Sequence, residues 1–166
     1  MKSLKFFCIV GAIITIILGV ISHFVYDWTG ENFFVGLFFS INESTWEHMK
    51  LLFFPMFVYA LIAGKKWEEN YPCIYNAMFI GILTGLALIP TIFYTYTGVL
   101  GFNVDWVNIA LYVVSVLIAY YVVYRVAEKC KKGDSKILRY VMYALLLAFM
   151  VFSVYPPKLG LFVSPV

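Results

Sequence analysis

Ser40-Ile-Asn-Glu-Ser-Thr-Trp-Glu-His-Met-Lys50 runs straight into Leu51-Leu-Phe-Phe-Pro-Met-Phe-Val-Tyr-Ala-Leu-Ile-Ala-Gly64. How the join between them is read decides the fold. Only residues 51–64 are free of charge before Lys65 and Lys66. At 1.5 Å per helical residue that run reaches about 21 Å, short of the roughly 30 Å hydrocarbon core of a bilayer. A helix that crosses must therefore take its first turns from Glu43, Glu47, His48 and Lys50. Ionisable groups at membrane depth are costly, face a packed interior or a wet cavity, and mark function.

The rest of the chain reads the same way. With 63% apolar and 13% charged residues in 166, the sequence is that of a polytopic membrane protein and not of a soluble domain. Charge-poor runs place spans near residues 6–26, 43–63, 73–94, 106–124 and 137–155. The expected fold is all-α, a five-helix transmembrane bundle forming one domain over residues 1–166. No soluble domain, internal repeat or low-complexity linker interrupts it. Nucleic acid is not an expected partner; the lipid bilayer is.

Threading the spans back and forth puts ten of the twelve bases on one side, with only Lys50 and Lys158 on the other. The base-rich side sums to +6 and the opposite side, with Asp27, Glu31, Glu43, Glu47 and Asp105, to −3. Short-loop Lys and Arg set orientation, so the expectation is a cytoplasmic-membrane protein with a cytoplasmic N-terminus and an external C-terminus. Lys2 and Lys5 ahead of an apolar run imitate a signal peptide, but no small-x-small cleavage site follows. Cys8 falls within the first span, and Cys73 and Cys130 at the inner ends of the third and fourth. With no cysteine in an outer loop, no structural disulfide is expected.

Aromatic residues make up 20% of the chain, and Trp46, Tyr94 and Trp106 gather toward the outer interface, as belt residues do. Gly81-x-x-x-Gly85 has the spacing that lets helix backbones approach, within the bundle or in a homo-oligomer. Pro55 and Pro90 sit inside the second and third spans, where a missing N–H frees a carbonyl.

The outer side collects the candidate chemistry. Ser40-x-x-Glu43 and Ser44-x-x-Glu47 both fit a capping box, and Asn42 is itself a good N-cap, so part of this string serves to start a helix. If the helix begins by residue 43, Glu43, Glu47 and Lys50 share a face at i, i+4 and i+7, and His48 points about 100° away. His23 and Asp27 end the first span on one face. Three chemistries fit this set. His23, His48 and Glu43 suit a divalent metal such as zinc, with Glu47 as general base and Lys50 as anion clamp in a hydrolase or transferase acting on a lipid or envelope precursor. His23 and His48 as axial haem ligands are a weaker match beside so many carboxylates. The leading reading is binding or transport of a small ligand, with Asp27, Asn42, Glu43, Trp46, Tyr94 and Asp105 as candidate contacts. A purely structural or assembly role for the motif is the remaining alternative.

His23-x-x-Tyr26-x-Trp28-x-Gly30, Asn42-Glu-Ser-x-Trp46-Glu-His48-x-Lys50, Pro55, Tyr94-x-Tyr96-x-Gly98 and Tyr155-Pro-Pro together carry a family resemblance. The chain resembles an uncharacterised family of small bacterial integral membrane proteins known as a domain of unknown function. That resemblance implies a multi-span membrane fold and gives weight to the Asn-Glu-Ser-x-Trp-Glu-His string. It implies no activity. Family members continue past the Pro-Pro segment with Asp-Pro and Gly-x-Tyr-Gly; this sequence reads Phe162-Val-Ser-Pro165 instead, so no role of that tail is carried over.

Overall fold

A computed structural model describes residues 3–130, 133 and 135–165. Six α-helices run in order: α1 (Leu4–Trp28), α2 (Phe33–Gly36), α3 (Thr45–Trp67), α4 (Ile74–Leu100), α5 (Asp105–Lys129) and α6 (Lys136–Val154), followed by a 3-10 turn at Gly160–Phe162. Among the described residues there is no β-strand. Five of the helices, all but α2, are long and apolar enough to cross a membrane. Lys2, Lys131 and Lys132, counted among the bases of the inner side, lie outside the described residues.

The core lies where α1, α3, α4 and α5 meet, and α6 packs from outside against α3 and α4. α3 is the most enclosed helix: Leu52, Phe53, Met56 and Ala60 are buried along it. Only Met142 and Phe149 of α6 are buried. The outward faces of α1 and α6, with Phe6, Ile9, Ile13, Ile137, Leu147 and Val151 exposed, are apolar, as a lipid-facing surface requires. Where no water is at hand, backbone and hydroxyl groups must find partners inside the chain. The threonines of α4 illustrate this: Thr84, Thr91, Thr95 and Thr97 each donate to the carbonyl four residues back.

Pro55 has a similar remedy. A helical residue 55 would normally donate to the carbonyl of Leu51, and proline has no N–H to give. The Tyr112 hydroxyl of α5 fills the gap, lying 3.2 Å from the Leu51 carbonyl oxygen and 2.8 Å from that of Thr15. Gly19 makes room for it, since a Cβ there would collide with the hydroxyl. One tyrosine thus ties α1, α3 and α5 together where the proline weakens α3.

Gly81 and Gly85 are used within the chain. A Cβ on Gly81 would lie 2.5 Å from Val123 Cγ2 and 2.8 Å from the Ala119 carbonyl oxygen of α5. A Cβ on Gly85 would lie 2.6 Å from Leu52 Cδ1 of α3. The glycines set how closely α4 approaches both neighbours.

One expectation fails outright. Cys73, at the N-cap of α4, and Cys130, at the C-cap of α5, form a disulfide with their Cα atoms 6.0 Å apart. Asn76, one turn into α4, accepts from the Ser135 backbone N–H at 2.8 Å, so the α5–α6 connection is also held there. The expectation rested on which side of the membrane each cysteine occupied. Pairing depends instead on which chain ends the bundle brings together, and α4 and α5 form the most extensive helix pair of the fold. Cys8 is the free cysteine, buried in α1.

Candidate functional site

Everything at the site follows from where α3 starts. The helix begins at Thr45, two residues later than the sequence pattern places it, and Ser44 is its N-cap, accepting from the Glu47 backbone N–H at 3.4 Å. The reciprocal half of the capping box does not form. Ser44 N–H donates to Asn42 Oδ1 at 2.8 Å, so Asn42 shapes the turn ahead of the helix. Glu43 therefore precedes the helix, and the expectation that it shares a face with Glu47 and Lys50 is overturned, because the i, i+4 relation holds only within helical geometry.

Glu47 and Lys50 turn inward and seal against the chain. Lys50 Nζ lies 2.7 Å from Glu47 Oε2, with the two side chains 0% and 2% exposed. The ammonium also donates to the carbonyls of Gly36 at 2.9 Å and Phe39 at 3.3 Å. Glu47 accepts from the Ile41 backbone N–H at 3.1 Å and from Ser153 Oγ of α6 at 2.8 Å. Each charge is paired and further hydrogen-bonded, the condition under which a buried ion pair survives. Together the pair holds the segment around residues 36–41 against the start of α3 and joins it to α6. Trp46 lies nearby among Phe149, Phe152 and Phe162.

Glu43 turns the other way. Its Oε1 is 3.3 Å from His23 Nε2 on α1, and its Oε2 is 3.5 Å from His48 Nε2 on α3. The two imidazole rings sit 5.4 Å apart, centre to centre. One ligand atom from each of the three residues lies within 4.8 Å of the others, so His23, Glu43 and His48 are the residues that could hold a metal. His48 Nδ1 is 3.0 Å from the carbonyl oxygen of Ser44. The two histidines remain about a quarter exposed and Glu43 is largely so.

These three residues line a cavity of about 600 Å³. Its apolar wall includes Val20, Phe24, Leu51, Ile89, Phe93 and Leu111, from α1, α3, α4 and α5. Asn103, in the turn before α5, and Asp105 and Asn108, at its start, add polar groups. Tyr96 of α4 organises them, its hydroxyl bonded to Asn108 and, at 2.7 Å, to Asn103 Oδ1. Among the described residues no lysine or arginine lines the cavity. Of the other candidate contacts, Asp27, Tyr94 and Trp46 lie off its wall, and Asp27 and Tyr94 are exposed. Asn103, Asn108 and Thr45 are lining residues that the sequence reading did not single out. The available signal was the Tyr94-x-Tyr96 string of the family resemblance, which marks the tyrosine that positions the two asparagines.

A sequence model described as "Family of unknown function (DUF6512)" matches residues 1–166. The chain belongs to that family. No curated protein and no solved structure matches this DUF6512 chain.

Proposed function

We propose that this DUF6512 protein is a multi-pass protein of the bacterial cytoplasmic membrane that binds a small amphiphilic ligand in the cavity beside His23, Glu43 and His48. The observation that carries the proposal is the cavity's construction. Four helices supply an apolar wall, and polar groups from three of them, from the segment before α3 and from the turn before α5 are set into it. Ligand sites are commonly concave, mainly apolar and provided with a few convergent polar groups. Among the described residues no lysine or arginine lines the wall, and Asn103, Asp105 and Asn108 favour a ligand whose polar end is uncharged and donates hydrogen bonds. Glu47 and Lys50 act as structural anchors in this reading, since their charged atoms are spent on one another and on the chain.

Val20 and Ile109 are lining residues with exposed side chains, so enlarging both to tryptophan fills the space without disturbing the core. Native mass spectrometry of protein released from mild detergent is expected to show a bound amphiphile that the Val20→Trp/Ile109→Trp variant lacks. Equal occupancy in the two proteins, or none in either, would sink the proposal.

The N-in orientation rests on the bases at one end, among them Lys5, Lys65, Lys66, Arg125 and Lys129. The disulfide at that same end pulls the other way, because the cytosol seldom sustains one. A reporter fusion after residue 166 decides between them: alkaline phosphatase active there, and green fluorescent protein dark, is the expected pattern.

A further inference from the structure

We infer that His23, Glu43 and His48 form a binding site for one divalent metal ion of the zinc class, set in the cavity wall. His48 Nδ1 faces the Ser44 carbonyl oxygen, which can only accept, so Nδ1 carries the hydrogen. In a neutral ring Nε2 is then a bare lone pair, and it faces Glu43 Oε2 at 3.5 Å. That contact calls for a positive centre between the two atoms, a proton or a metal ion.

His23 Nε2 faces the other oxygen of the same carboxylate at 3.3 Å, its ring centre 5.4 Å from that of His48, and its Nδ1 has no hydrogen-bond partner among the described residues. A single divalent ion meets all three groups at once.

The distances agree. Ligands on a tetrahedral zinc ion at 2.0–2.1 Å lie about 3.3 Å from one another. The histidine–carboxylate separations, 3.3 Å to Oε1 and 3.5 Å to Oε2, are of that size, and one ligand atom from each of the three residues lies within 4.8 Å of the others. The Nδ1 contact to a backbone carbonyl is also the usual support of a ligating histidine, fixing the ring and directing Nε2 at the metal. Two imidazoles and one carboxylate favour zinc and similar borderline ions over magnesium or calcium, which prefer oxygen. Three protein ligands leave a coordination position to be filled from the cavity, as catalytic and ligand-binding zinc sites do.

This inference does not depend on the amphiphile proposed for the cavity, and the two fail separately. The purified full-length protein in detergent, stripped with chelator and titrated with Zn²⁺ alone, is expected to bind close to one ion per chain. Co²⁺ in its place is expected to give the visible d–d absorption of a low-coordinate nitrogen–oxygen site. His23→Ala and Glu43→Gln should each weaken Zn²⁺ binding at least tenfold. Should His48→Ala fail to fold, Glu43→Gln still decides the matter, because Glu43 precedes the helix and is largely exposed. Absence of saturable Zn²⁺ binding, or wild-type affinity in both Glu43→Gln and His23→Ala, overturns the site.

Discussion

Glu43 and Glu47 are the same side chain four residues apart, one 63% exposed beside two histidines and the other 2% exposed against a lysine. What separates them is the cap at Ser44. Ahead of it the backbone is free to aim Glu43 across to α1, while behind it the helix fixes Glu47 toward residues 36–41 and α6. A carboxylate placed before the cap can meet partners from two helices and remain open to solvent. One placed after it is committed to the interior, where its charge is tolerable only with a partner. One helix start thus produces an open site and a sealed anchor side by side.

The sharpest way to break this contrast is Lys50→Met. It leaves Glu47 buried without its cation, and the expected cost is about 3–5 kcal/mol, read as a lowered unfolding midpoint in detergent. Glu47→Gln/Lys50→Met should recover much of that loss, since no charge is left stranded. A single variant as stable as the parent would mean that the pair is no anchor. Ser153→Ala removes a hydrogen bond to the buried carboxylate, at an expected cost of about 1.5–3 kcal/mol. It also tests whether α6 is held through Glu47, because freed α6 should become the first site of limited proteolysis.

Glu43→Gln probes the open partner. Its Zn²⁺ affinity should fall tenfold or more, about 1.4 kcal/mol, while stability stays within about 0.5 kcal/mol, the usual range for an exposed position. A large drop in melting temperature would place Glu43 in the same class as Glu47 and dissolve the distinction. Ser44→Ala is the mildest change. Loss of the cap should cost about 1 kcal/mol, and by loosening the point that separates the two acids it should lower metal affinity as well.

The five spans were legible because a membrane helix advertises itself in uninterrupted apolar length, which needs no tertiary information. Much of the site's wiring was not legible. His23 and His48 could be placed at one depth from their positions near span ends, and they do meet. Glu43 groups with them as a candidate metal ligand and does lie beside both, but its helical face was not legible, because a shift of two residues in the helix start changes it from a helical neighbour of Glu47 to a loop residue. The Ser44-x-x-Glu47 pattern marked the cap, yet only half of the capping box forms, since Ile41 and Ser153 compete for the Glu47 carboxylate. Ser153 is 106 residues from Glu47 and no local pattern links them. The part played by Asn103 and Asn108 depends likewise on where α4 lays Tyr96.

The Cys73–Cys130 bond makes α4, the 101–104 turn and α5 a closed covalent ring in an otherwise linear chain. The ring contains Phe93, Asn103, Asp105 and Tyr112, a whole side of the cavity, whereas His23, Glu43 and His48 all lie outside it. A protease nick in the 101–104 turn would therefore leave the two pieces of that wall tethered until a reductant parts them, with residues 1–72 attached to one piece and residues 131–166 to the other. The cavity is thus bounded on one side by a loop of chain that a single cut cannot part, and on the other by residues with no such restraint.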